Sequence, residues 1–224
     1  MALSVDYLYV FSQDLILKNQ SGGLKSTAFA NHWNDAQSTY FDDLVGRFQL
    51  RNNGKEGANT GLILDETILQ KLSPFTKLSP LTVATGNSDK PTDFAFRLAM
   101  RVNGKDAIKI NQGQIAFVNN SVIDAPSVAN DIYYFLEYED YYTFLPNTIT
   151  AADLDYIAIP DDVLWAYTLD ADGRQTYDAP NSVQPQWDNF SCREITKRML
   201  TNLGVSFKDA DFMNFGKSVQ LTGE

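Results

Sequence analysis

The chain has 224 residues and a formal net charge of −10, with 44% hydrophobic and 12% aromatic residues. This composition is typical of a folded protein with a sizeable core and argues against extended disorder. The single cysteine excludes an intramolecular disulfide and a cysteine-based zinc site. No apolar run reaches the ~20 residues that span a bilayer, so we expect a protein made in the cytoplasm without a membrane segment.

The first third of the chain predicts three helices. Ser4 can cap the first, which runs to Asn19 and has these apolar residues on one side: Val5, Leu8, Phe11 and Leu15. The second begins at Ser26 or Thr27, ends near Asn52 and has the clearest helical spacing of apolar residues. The third covers residues 62–72 and ends at Ser73-Pro74. Such helices are expected to pack as a small bundle.

The middle of the chain changes to the two-residue period of strands. Residues 94–102 predict a strand, with Asn103-Gly104 as a hairpin turn and residues 107–110 as the return strand. Residues 130–144 predict two further strands with a polar tip at Glu139-Asp140, and residues 154–159 predict another strand. Asp172-Gly173 is the strongest hairpin signal, between residues 165–169 and 174–177.

A helix is predicted after residue 188, ending at Gly204, and a shorter one at Ser206, where Ser206 and Asp209 resemble a capping box. The predicted organisation is a helical bundle over residues 1–75, a small, mostly antiparallel β-rich region over residues 76–187, and C-terminal helices over residues 188–224. We expect these last helices to pack back on the bundle or on a neighbouring copy. The fold class is α+β.

Negative charge is concentrated in one part of the chain. Residues 110–192 contain 13 acidic residues against one basic residue, Arg174, which is a net charge of −12. Such a segment forms either a solvated face that keeps the protein soluble or a surface that repels DNA. We define a candidate acidic face by these residues: Glu137, Glu139, Asp140, Asp161 and Asp162.

The aromatic residues between 133 and 144 allow three interpretations. Strand alternation would bury half of them in a core, tyrosine is enriched at protein interfaces, and exposed aromatic rings beside acids can stack on sugars. We define a candidate interface, extended to the hairpin and the C-terminus, by these residues: Tyr138, Tyr141, Tyr142, Trp165, Tyr167, Tyr177, Phe212 and Phe215.

Catalytic patterns are weak. The only histidine is His32, and the sequence contains no GxSxG motif whose serine it could activate. The loop from Asn53 to Gly57 lacks the upstream glycine and the following Ser/Thr of a phosphate-binding loop. Asp170-x-Asp172-Gly173 begins like a calcium loop, but its twelfth position is Asn181 instead of glutamate. Paired acids leave open a hydrolase with two carboxylates roughly 5–10 Å apart. We predict no enzyme, no cofactor and no metal.

The part of the chain from Leu145 onward has a recognisable order of elements. Leu145-Pro146 precedes the strand DLDYIAIP, a Trp-Ala-Tyr hairpin ending in Tyr177-Asp178, Asn181-Ser182-Val183 and the ending EITKRMLTNLGVSFKD. This order resembles virion proteins of tailed phages, especially crAss-like and related phages of gut Bacteroidetes. An Asn-x-x-Gln-like stretch at residues 34–40 is similar to the N-terminal third of that group. Residues 156–160 depart from the pattern because a basic residue is absent there.

The resemblance implies a ring-forming head–tail connector below the portal. It implies a homo-oligomer, expected to be twelve-fold, that contacts the portal and other neck or tail proteins of the virion after synthesis in the host cytoplasm. DNA would pass through without specific binding, which the acidic segment favours because basic residues would bind phosphates. Closed rings need heterologous interfaces, in which two different patches meet. A carbohydrate- or receptor-binding tail module that uses the Tyr/Phe-rich strands is the alternative.

Overall fold

The computed structural model describes residues 3–18, 23–52 and 60–203, and the side chains of residues 3–17, 23–47 and 66–203. Its helices in chain order are α1 (Val5–Lys18), α2 (Ser26–Asn52), α3 (Thr60–Leu72), α4 (Ile115–Asn119) and α5 (Asn189–Asn202). Its strands are β1 (Thr76–Thr82), β2 (Asn87–Asp89), β3 (Phe94–Val102), β4 (Lys105–Asp106), β5 (Ile108–Lys109), β6 (Tyr134–Glu137), β7 (Tyr141–Leu145), β8 (Ala151–Ala158), β9 (Tyr167–Leu169) and β10 (Gln175–Tyr177). The predicted α+β class is confirmed.

The chain forms two compact units. The helical unit combines residues 1–71 with residues 160–224, and the sandwich unit comprises residues 72–159. This division differs from the predicted one, because residues 160–187 belong with the helices and not with the strands. The reason is the packing of Trp165, whose ring lies 4.3 Å from that of Tyr9 and whose indole N–H donates to Asp6 at 3.0 Å.

The core of the helical unit lies between α2 and α5. One side of α2 is buried as its spacing predicted: Phe29, Trp33, Ala36, Tyr40, Phe41, Leu44 and Val45. Asp188 caps α5 by accepting the N–H of Ser191 at 2.7 Å. Two buried indole N–H groups have hydrogen-bond acceptors inside this core, because Trp33 donates to the hydroxyl of Thr196 and Trp187 donates to the side-chain oxygen of Gln37. The N-cap at Ser4 is also confirmed, because its hydroxyl accepts the N–H of Tyr7.

The sandwich unit contains two four-stranded sheets, with strand orders β1-β8-β3-β4 and β2-β7-β6-β5. Side chains from both sheets form one apolar core, which includes Met100, Phe135, Phe144 and Leu154. The helix α4 lies on a smaller cluster, where Val118 packs with Ile110, Tyr134 and Leu136. Cross-strand partners share a face, so Tyr142 and its β6 partner Glu137 point the same way.

One strand prediction needs correction. The strand that returns along β3 is β4, at residues 105–106, whereas the predicted range 107–110 contains β5, which pairs with β6 in the other sheet. The strand predicted at 154–159 corresponds to β8, which begins earlier, at Ala151, and lies between β1 and β3 in the sandwich unit. The predicted helix from Ser206 falls outside the described residues.

Candidate interaction surfaces

The predicted interface residues divide into buried and exposed groups. Tyr142 and Trp165 are buried, so their inclusion in a surface is wrong: both rings pack inside their units. Tyr138 and Tyr141 stack with ring centroids 4.6 Å apart at the tip between β6 and β7, and Tyr141 is 39% exposed. Phe212 and Phe215 lie outside the described residues.

The aromatic residues of the second hairpin form one stack. The ring of Trp165 lies 5.8 Å from that of Tyr167 and 5.9 Å from that of Tyr177. Tyr167 and Leu169 are exposed on the strand β9, and the turn beyond them contains Asp170 and Asp172. This hairpin therefore presents apolar side chains together with acidic ones.

The predicted acidic face is wrong at Glu137. Its carboxylate contacts three cations, at 2.8 Å from Lys109, 3.4 Å from Arg97 and 3.5 Å from Lys90. Burial alone would raise the pKa of Glu137, but the hydrogen bond from Lys109 and the three nearby charges hold this pKa below its ordinary value. Glu137 is thus the anionic centre of a cluster with two excess positive charges.

The cations of this cluster also pack on aromatic rings. The guanidinium of Arg97 lies 4.8 Å from the ring centroid of Phe135, and the ammonium of Lys90 lies 4.6 Å from that of Phe94. The hydroxyl of Tyr142 is buried beside them and has no hydrogen-bond partner among the described residues. These contacts join the two sheets, so we assign the cluster a structural role.

The other acidic candidates are exposed but belong to different units. Glu139 and Asp140 lie in the β6–β7 turn of the sandwich unit, and Asp161 and Asp162 lie in the helical unit. Asp161 accepts a hydrogen bond from the side chain of Gln186 at 2.7 Å. The acidic segment is therefore shared between the units.

The helix α1 is apolar on both sides. Its buried side consists of Val5, Leu8, Tyr9, Ser12 and Ile16, whereas four large apolar residues are exposed on the other side: Tyr7, Val10, Phe11 and Leu17. The spacing placed Phe11 on one side of α1 with Val5 and Leu8; these two residues are buried, whereas Phe11 is 42% exposed. Asp14 is also exposed on this outward side, so the side is mostly but not entirely apolar. Large apolar side chains grouped on an exposed side are typical of a contact with other protein.

A groove of about 380 Å³ lies between α1 and α5. We call it the α1 groove, and its lining residues are Tyr7, Leu8, Phe11, Leu15, Arg193, Thr196, Lys197 and Leu200. The rings of Tyr7 and Phe11 are nearly parallel, with centroids 6.0 Å apart. The groove thus combines an apolar, partly aromatic surface with two cations.

The sandwich unit exposes its apolar residues differently, on a segment that we call the arm (residues 111–132). The arm contains α4 and the loop after it, and its exposed side chains are Phe117, Val122 and Ile123, at 80%, 99% and 82% exposure. Large apolar side chains this exposed and this close together in the chain are typical of interaction sites. Sequence reasoning missed the arm, although one signal was present: residues 110–123 contain no charged residue.

Hydrogen bonds hold the arm in one conformation. The hydroxyl of Ser121 accepts the backbone N–H of Ile123 at 3.4 Å and that of Asp124 at 3.0 Å. The hydroxyl of Tyr134 donates to the carbonyl of Asp124 at 2.9 Å, which ties the loop to the strand β6. A backbone pair between Ser127 and Ile132 closes its base. The exposed side chains are therefore presented by an ordered support.

The described residues show little that suggests reaction chemistry. His32 is exposed on α2. Cys192 is buried, and burial together with the charge of Asp188 raises the pKa of its thiol to about 12. Within the described ranges there is no group of three or more His, Cys, Asp or Glu residues placed to hold a metal ion. No helix in the same ranges is long and apolar enough to cross a membrane.

Comparison with known proteins adds no functional information. No protein-family model matches the sequence, and a search of curated proteins finds no match. The exposed surfaces of the chain and the resemblance of its C-terminal part are therefore the grounds for a functional proposal.

Proposed function

We propose that this chain is a structural virion protein of a tailed phage. It assembles into a homo-oligomeric ring at the head–tail junction, expected to contain twelve copies, and contacts the portal and other neck or tail proteins. The resemblance from Leu145 onward supports this role. The proposed self-assembly rests on one observation. Each unit exposes an apolar surface, and the two surfaces differ in shape.

The difference in shape is important for the type of assembly. The α1 groove is a recess, whereas the arm projects three apolar side chains into water. Two unlike patches on one chain support head-to-tail contacts, and such contacts generate closed rings when the rotation between copies closes. Large exposed apolar patches are rare on monomers because water contact with them is unfavourable.

The charge of residues 160–192, one segment of the helical unit, supports passage of DNA without binding if this segment lines the channel. Between residues 160 and 192 there are six acidic residues and one basic residue, Arg174. These acids are exposed or half-buried in the described part of the chain. A channel wall of this composition would repel the phosphate backbone, whereas clustered lysine or arginine would bind it.

Quantitative mass spectrometry of purified phage particles tests the virion role. We expect the chain to co-purify with intact particles in a fixed ratio to the portal protein, and antibodies against it to label the head–tail junction in electron micrographs. Absence from particles that contain portal and capsid proteins would contradict the proposal.

A tail module that binds sugars or a receptor is the second candidate. The observation that favours it is the stacked pair of Tyr138 and Tyr141, whose exposed edge is adjacent to Glu139 and Asp140. Glycan-array binding that Tyr141→Ala abolishes would support this function. If neither the wild type nor Tyr141→Ala binds any glycan on the array, the sugar-binding function is contradicted. Most other aromatic residues of this cluster are core residues and cannot contact a sugar.

A further inference from the structure

We propose that the arm of one copy inserts into the α1 groove of the next copy. This inference rests on the proposed self-assembly and names the contact that produces it. Both surfaces are apolar, and one projects where the other is recessed. The groove volume, about 380 Å³, falls in the range of roughly 300–1,000 Å³ that is typical of sites enclosing a bound group.

Charge favours the arm as the occupant. Arg193 and Lys197 line the groove, and no described acidic side chain lies within ion-pair distance of either. Asp124 directly follows the apolar tip of the arm, and no basic residue occurs between residues 110 and 131. Insertion of the tip would bring Asp124 to the cationic edge of the groove, and such pairing selects the correct partner.

The acidic hairpin is a poorer occupant on the same grounds. Its most exposed apolar residue, Leu169 at 64% exposure, is followed at once by Asp170. The Asp170 carboxylate accepts the backbone N–H groups of Asp172 and Arg174, so it is fixed at the turn. Insertion of this tip would remove a fixed charge from water, which is unfavourable. The arm also ends in an acidic residue, Asp124, but it has the longer uncharged apolar stretch, because residues 110–123 contain no charged residue whereas Asp170 and Asp172 both lie within three residues of Leu169.

Contacts between identical surfaces are also disfavoured. Two grooves placed together would oppose Arg193 and Lys197 with their own copies, and two arms would oppose Asp124 with Asp124. Like charges at an interface are repulsive. The hydrogen bonds that tie the arm to β6 favour association, because a segment with fewer accessible conformations loses less entropy on binding.

Photo-crosslinking with isotope labels identifies the occupant directly. Copies with a benzoylphenylalanine at position 7, in place of Tyr7, are labelled with ¹⁵N and mixed with unlabelled wild-type copies before irradiation. We expect crosslinks from the labelled α1 peptide to unlabelled peptides of residues 110–131. A matched probe in place of His32, on the exposed polar side of α2, is expected to give no arm crosslink.

Other crosslinks would overturn the inference. Attachment of the probe to residues 160–187, to α1 of another copy or to residues 204–224 would identify a different occupant, while leaving self-assembly intact. Absence of any oligomer under conditions in which the protein is folded would overturn the proposed assembly together with this inference. The two failures are therefore distinguishable.

A charge exchange provides an independent test on the full chain. Ile123→Asp is expected to weaken association between copies about ten-fold or more, as for loss of a central interface contact. Leu169→Asp, a matched change on the hairpin, is expected to leave association unchanged.

The charge exchange tests the pairing of Asp124 with Lys197. Asp124→Lys alone is expected to weaken association, and the added change Lys197→Asp is expected to restore it. If Ile123→Asp and Leu169→Asp have equal effects, or if the exchange restores nothing, the arm is not the occupant.

Discussion

The exposed sides of α1 and α2, two helices of the same unit, differ in polarity. The exposed side of α2 is polar along its described length, with Asn31, His32, Asp35, Ser38, Thr39, Asp42 and Asp43. The exposed side of α1 contains Tyr7, Val10, Phe11 and Leu17. Both helices bury their other side in the fold, so the apolar residues outside α1 are not needed for its packing. We therefore expect the exposed apolar residues of α1 to contact a partner, as proposed above.

The largest expected effect is at the buried side of α2. Phe29 is completely buried, so Phe29→Ala should lower the free energy of unfolding by about 3–5 kcal/mol through lost burial and a cavity. Phe11→Ala in α1 should lower it by about 1–2 kcal/mol, because 42% of that side chain is already exposed to water. Chemical denaturation compares the two. Equal losses of unfolding free energy in the two variants would mean that Phe11 belongs to the core and would contradict the distinction between the two positions.

A slightly smaller effect is expected at the carboxylate of the sandwich unit. Glu137→Gln leaves Lys90, Arg97 and Lys109 without their shared anion, which should cost about 2 kcal/mol, less than the ~3–5 kcal/mol of a fully buried pair because Lys109 is largely exposed. Glu139→Gln, two residues away and exposed, should change stability by less than about 0.5 kcal/mol. If both variants are neutral, Glu137 belongs to a solvated acidic face after all.

The same carboxylate predicts a pH dependence. The pKa of Glu137 is lowered in the folded state, so its stabilising contribution is complete above the unfolded value of about 4.3. That contribution is lost as the pH falls from there through the folded value. Unfolding free energies measured across this window should decline more steeply for the wild type than for Glu137→Gln. Some decline should persist in the variant, because the hydrogen bond from Lys77 also lowers the pKa of Asp93.

A smaller effect of opposite sign is expected next to this cluster. The buried hydroxyl of Tyr142 has no partner in the described part of the chain, and an unsatisfied buried hydroxyl costs roughly 1–3 kcal/mol. Tyr142→Phe removes the hydroxyl and keeps the ring, so thermal unfolding should shift to a higher temperature. Tyr156→Phe is the control that should destabilise, since that hydroxyl donates to Asp93 at 2.9 Å. A lower melting temperature for Tyr142→Phe would contradict this account.

The smallest effects on stability are expected at the two surfaces themselves. Tyr7→Ser in the α1 groove and Val122→Ser in the arm should each change the unfolding free energy by no more than about 1 kcal/mol, because both side chains are exposed to water. The same variants should reduce self-association, which sedimentation measures. A large loss of stability without any loss of association would show that these residues support the fold instead.

Local patterns predicted much of this structure. The helical spacing of apolar residues identified the buried side of α2, and Asp172-Gly173 located the turn between β9 and β10, where Gly173 has φ +77°. Asn103-Gly104 likewise marked the turn after β3, with positive φ at both residues. Such features depend on residues close together in the chain, so the sequence contains them directly.

Features set by distant contacts were missed. Apolar residues occur on more than one side of α1, so their spacing could not decide which of them the rest of the fold covers. Glu137 was counted with an acidic run, whereas Lys109 and Arg97, which neutralise it, lie 28 and 40 residues away in the chain. The place of β8 between β1 and β3 likewise depends on strand pairing, which the local alternation of residues does not encode.

Electron microscopy and native mass spectrometry of the purified protein at high concentration test the central claim most directly, namely that unlike apolar surfaces on the two units join copies head to tail. The account predicts a closed ring with one fixed number of copies, lost in Ile123→Asp but retained in Leu169→Asp. A monodisperse, folded monomer at every concentration would contradict it.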